Sequence, residues 1–98
     1  MTFSTIEDVR KKIDQIDSEL VTIISQRTEC VKAAAMFKID HSAVRAPDRV
    51  QQVIDKVCKK ATEVGLPEVI IEKVYRTMIE AFIEYELEQH DKMRLKKI

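Results

Sequence analysis

Four basic residues, Arg10, Arg27, Lys38 and Arg49, and one carboxylate, Glu86, are the side chains whose positions could carry chemistry. Arg27 interrupts an apolar series, between Ile23 and Cys30 or Val31. An arginine on an apolar seam must be partnered, because an uncompensated buried charge is strongly destabilising. The partner is either an acidic residue of a neighbouring chain (Asp14, Asp17, Glu19 or Glu29) or a bound anion. Lys38 lies eleven residues further on, about 20° from the same azimuth on an ideal helix and about 16 Å along its axis. The two cations can then lean over a ligand with separated negative groups, unless Lys38 is a solvated residue at a fraying helix end. Arg10 flanks the same series, about 25 Å from Arg27 along one helix. It is either an exposed charge near Asp14 or the contribution of an antiparallel partner chain to the site around Arg27.

Glu86 follows Tyr75, Ile79 and Phe82 on one helical stripe. A carboxylate there is held ionised by a cation, or stays protonated and donates a hydrogen bond, or sits where the helix end reaches solvent. Arg49 stands in the first turn of a helix opened by Pro47, available to an anion or to a surface pair with Asp48 or Glu63.

Three helices must position these groups. The first is expected from Ser4 or Thr5, with Ser4 and Glu7 at capping-box spacing. Ile6, Val9, Ile13, Ile16, Leu20 and Ile23 recur at steps of three and four, and the rhythm continues through Cys30, Ala34 and Phe37. A helix of about 35 residues is about 50 Å long. A compact domain of this size is about 25–35 Å across, so the helix must project and pack on a second chain. The second helix is expected from Pro47 to a stop at Gly65, with a stripe of Val50, Val53, Ile54, Val57, Ala61 and Val64. The third is expected from Pro67 through Val74, Met78, Phe82 and Leu87 to about Lys92. One glycine and two prolines leave no room for strands joined by turns. The reading is one all-α domain over residues 1–98, with a very long first helix and a homodimeric assembly.

Seventeen basic and seventeen acidic residues cancel. Only the tail Lys92–Lys97 is a basic block, which argues against nucleic acid as a partner. No apolar run suits a membrane span, and the N-terminal residues lack a signal-peptide core, so the chain reads as cytoplasmic. Cys30 and Cys58 form no CxxC pair, and His41 and His90 have no metal-ligand spacing, so no metal is expected. No nucleophile–base pair or phosphate loop is visible. A helical dimer in which Arg27 only fixes register, acting as a regulatory or assembly module, is the non-enzymatic alternative.

Taken together, the segments Val9-Arg10-Lys11-Lys12-Ile13-Asp14-Gln15-Ile16-Asp17, Leu20 to Arg27, Ala35-Met36-Phe37-Lys38 and Val44-Arg45-Ala46-Pro47-Asp48-Arg49 resemble the all-helical chorismate mutases. The resemblance covers roughly Ile6 to His90. It implies an intertwined homodimer with two equivalent sites, and a role in aromatic amino-acid biosynthesis. Arg10 of one chain, with Arg27, Lys38 and Arg49 of the other, would clamp the substrate's two carboxylates and ether oxygen. The implied reaction is the Claisen rearrangement of chorismate to prephenate, without cofactor, nucleophile or proton transfer. Lys38 and Glu86 are the implied catalytic pair. The family often has glutamine at the position of Glu86, so Glu86 would have to be protonated to donate to the ether oxygen. Some mutases carry a glutamate after the helix-two arginine for the ring hydroxyl, where this chain has Val50. The stretch Phe37-Lys38 through Ala46-Pro47-Asp48-Arg49-Val50 also resembles isochorismate pyruvate lyases, and aminodeoxychorismate mutases share the same clamp. All three substrates are dicarboxylates with an enolpyruvyl ether, so the clamp does not separate them.

Overall fold

A computed structural model describes the backbone of residues 2–96 and the side chains of residues 2–92. The basic run Lys92–Lys97 therefore lies almost wholly outside the described side chains. Three long helices and one short one make up the chain: α1 (Ile6–Ala35), α2 (His41–Arg45), α3 (Pro47–Glu63) and α4 (Glu68–Lys96). No strand occurs among the described residues. Residues 1–30 and 31–98 form two compact units.

Residues 1–30 are essentially one helix. Its N-terminal cap sits one residue later than the Ser4–Glu7 spacing implies. Thr5 Oγ1 accepts from the Asp8 amide at 3.1 Å, and the Asp8 carboxylate accepts from the Ser4 amide at 3.3 Å. Two amides that no helical carbonyl can reach are thereby satisfied. Ile6, Ile13, Ile16, Leu20 and Ile23 are all exposed in the single chain. An apolar stripe of this extent, open to water, marks a surface built to be covered.

Within residues 31–98, α3 and α2 both pack on α4. Ala35, Val44, Ile54, Ala61 and Ile79 form the apolar core of this unit. Of the two stripes α4 offers, the structure buries the one through Ile79 and Glu86. Val74, on the other, is half exposed at 52%. Val64 is likewise exposed, because it caps α3 instead of continuing its stripe.

Two left-handed residues turn the chain between helices. Gly65 (φ 78) follows α3 in a Schellman arrangement. The Leu66 amide donates to Ala61 O at 2.8 Å and the Gly65 amide to Thr62 O at 3.2 Å. Ala46 (φ 35) separates α2 from α3. Asp40 caps α2, its carboxylate accepting from the Ala43 amide at 2.8 Å. On α3, the Cys58 thiol is pushed above its ordinary range by burial and by the carboxylates of Glu68, Glu72 and Asp55, with Arg76 opposing.

A Cβ at position 65 would meet nothing within 4 Å, so its cost is the backbone conformation alone. Gly65→Ala is expected to lose about 1 kcal/mol, and Ala46→Gly to gain up to about 1 kcal/mol. Thermal unfolding should show shifts of opposite sign, each of about 5 °C.

Candidate anion-binding site

α1 stops at Ala35, two residues before the apolar rhythm ends. Its last amides turn to carbonyls three residues back: Met36 to Ala33, Phe37 to Ala34 and Lys38 to Ala35. This tightening takes Lys38 off the helix. The ideal-helix azimuth that would align it with Arg27 therefore does not apply, and the expectation that both line one face of a continuous helix is corrected.

α4 holds Lys38 instead. Its ammonium lies 2.6 Å from Glu86 Oε1. Its carbonyl oxygen accepts from His90 Nε2 at 2.8 Å. Glu86 and His90 are four residues apart, one above the other on the same face of α4. Both are buried, at 5% and 4% exposure. The Lys38 side chain keeps 26% of its surface exposed, against 7% for that of Glu86. Of the three environments open to Glu86, the structure shows the first, a carboxylate facing a cation. An ion pair with one partly exposed end is open to exchange, because an incoming anion can compete for the ammonium.

The remaining basic residues are more open. Arg49 is exposed in the first turn of α3, behind Pro47. Arg27 is half-buried on α1. Arg10 is exposed and reaches Glu7 at 3.9 Å, not Asp14. Both side chains of that pair are about 70% exposed, so it contributes little and leaves Arg10 available.

Two groupings escaped the sequence reading. A cleft of about 400 Å³ beside α4 is lined by Arg45 and Arg76, with Val50, Glu80 and Glu84 among its walls. Arg76 is already bound to Glu72, at 3.0 Å. Two further carboxylates on the wall would repel a dianion, and neither Lys38 nor Glu86 lines it. The second grouping joins His41 to His90, with ring centroids 6.0 Å apart, although no local spacing connects them.

The described chain is all-helical and carries an ion pair between half-buried Lys38 and buried Glu86. The pattern of the family described as chorismate mutase type II matches residues 9–87, and the chain belongs to that family. It is 33% identical over 78 residues to an isochorismate pyruvate lyase of Pseudomonas aeruginosa, covering 80% of this chain and 77% of the relative. It is 29% identical over 76 residues to a chorismate mutase of Methanocaldococcus jannaschii, covering 76% of this chain and 77% of that one. A bifunctional chorismate mutase/prephenate dehydratase of Aquifex aeolicus is 25% identical over 85 residues, which are 83% of this chain but 24% of that protein. The matched segment takes in Arg10, Arg27, Lys38, Arg49 and Glu86.

Lys38→Met leaves Glu86 buried without its cation and should cost about 3 kcal/mol of stability. Pairing it with Glu86→Gln should recover most of that loss. Denaturant unfolding of the two single variants and the double variant closes the cycle. Additive losses would show that the two side chains do not interact.

Proposed function

We propose that this chain is a chorismate mutase working as a homodimer, with each site completed by the partner's Arg10. The observation that carries the reading is the Lys38–Glu86 pair, held on α4 inside a chain that belongs to the family throughout residues 9–87. The exposed stripe of α1 supports the dimer, since a second copy of the same stripe is its natural cover. No helix among the described residues is long and apolar enough to cross a membrane.

In the rearrangement the ether C–O bond breaks while a C–C bond forms, so no proton, electron or cofactor enters. What a protein can contribute is the compact conformer and stabilisation of charge on the departing ether oxygen. Arg27 and Arg49, with Arg10 from the partner, hold the two carboxylates. Lys38 turns from Glu86 towards the ether oxygen. Glu86 can act there only as a donor, because a bare carboxylate would repel the growing negative charge.

A second reading keeps the site and changes the substrate. The likeness to the Pseudomonas aeruginosa lyase, and Val50 where some mutases place a hydroxyl-binding glutamate, favour isochorismate. Elimination would then release pyruvate and leave salicylate.

Purified chain should convert chorismate to prephenate, followed side by side with isochorismate and salicylate. Salicylate without prephenate replaces the mutase reading with the lyase one, and turnover of neither substrate ends both. Lys38→Ala should lower kcat by about 100-fold or more. Glu86→Gln should keep turnover and Glu86→Ala should lower it, and equal turnover in both variants removes Glu86 from the chemistry.

A further inference from the structure

His90 does more than hold the backbone of Lys38. Its Nε2 faces a carbonyl oxygen, which only accepts, so Nε2 carries the ring proton and Nδ1 is left as a lone pair. Nδ1 is shut off from solvent and has no hydrogen-bond partner. A buried acceptor in that state is unusual in a folded protein and asks for an occupant.

Two further donors lie beside the His90 ring. His41, the first residue of α2, stands edge-on to the His90 ring at 71°. Its Nε2 is 2.7 Å from Oδ1 of Asp91, the residue after His90 on α4. One nitrogen from each imidazole and one carboxylate oxygen lie within 4.8 Å of one another. Two imidazoles and a carboxylate are the donor set of zinc-type sites with an open fourth position. The second interaction of His90 also fits: ligating histidines characteristically donate the other ring N–H to a carbonyl or carboxylate.

We propose that His41, His90 and Asp91 bind a divalent transition-metal ion of the zinc type, with His90 Nδ1 as the buried ligand. Bonds of about 2.0–2.2 Å require the three donors to draw closer than they stand. The side chains of His41 and Asp91 are half exposed, at 51% and 53%. An ion between them replaces their hydrogen bond. It also ties the start of α2 to α4, on either side of the His90–Lys38 contact. The site is thus distinct from the anion site and stands whether or not the proposed activity is correct.

The test uses the untagged, reduced, metal-stripped chain. Zinc is titrated against a chromophoric chelator, and cobalt is added separately for its visible absorption. One ion should bind per chain, with cobalt bands of low-symmetry nitrogen–oxygen coordination. His41→Ala and Asp91→Asn should each weaken zinc binding by about tenfold or more, with helical circular dichroism unchanged. These half-exposed positions are used because replacing buried His90 risks the fold. Cys30→Ser and Cys58→Ser should leave binding intact. The proposal is overturned by absence of saturable binding at micromolar zinc, by binding that survives His41→Ala and Asp91→Asn, or by binding lost with either cysteine.

Discussion

Arg10 and Arg27 stand seventeen positions apart on one unbroken α-helix, and a helix does not bend to bring its own middle to its own start. At 1.5 Å per residue the two guanidinium-bearing positions are about 25 Å apart. No molecule with two carboxylates on one small ring spans that distance. Whatever Arg27 helps to hold, the Arg10 of the same chain is out of reach of it. An antiparallel copy removes the difficulty, because the start of one helix then passes the middle of the other. The same copy would cover Ile6, Ile13, Ile16, Leu20 and Ile23, which the single chain leaves in water. Helix rigidity and apolar exposure are what support the proposed dimer.

Within residues 31–98, two contacts with α4 fix Lys38. The turn after Ala35 frees Lys38 from helical geometry, and α4 fixes it again at both ends, ammonium to Glu86 and carbonyl to His90. The backbone contact to His90 can stay in place while the ammonium exchanges Glu86 for an incoming anion, which limits the freedom lost on binding. The pair also explains how a buried carboxylate is tolerated before substrate binds. Neither feature distinguishes chorismate from isochorismate, since both present the same carboxylates and ether oxygen. That discrimination must come from contacts to the ring.

The long helices were legible because each announces itself. α1 has a sustained apolar rhythm, α3 has Pro47 at its first position, and Gly65 with Pro67 punctuates the passage to α4. Glu86 was legible for the same reason, as a charge on an apolar stripe. The end of α1 was not, because no glycine or proline marks it and a change of hydrogen-bond register does the work. α2 is five residues long, too short for any periodicity to show, and only the cap at Asp40 betrays it. Pairing His41 with His90 depends on how α2 packs against α4, a tertiary fact that spacing along the chain does not encode. Arg45 and Arg76 were passed over because neither breaks a pattern.

The claim on which the rest turns is that one site takes residues from two chains. Arg10→Ala and Arg27→Ala variants, each inactive by itself, can be unfolded together and refolded as a mixture. In a mixed dimer with shared sites, one site receives both substitutions and the other receives neither. Random pairing makes half the dimers mixed, with one intact site of two, so activity on chorismate or isochorismate should return to about a quarter of the unmodified level. A mixture as inactive as its two components would contradict the shared site.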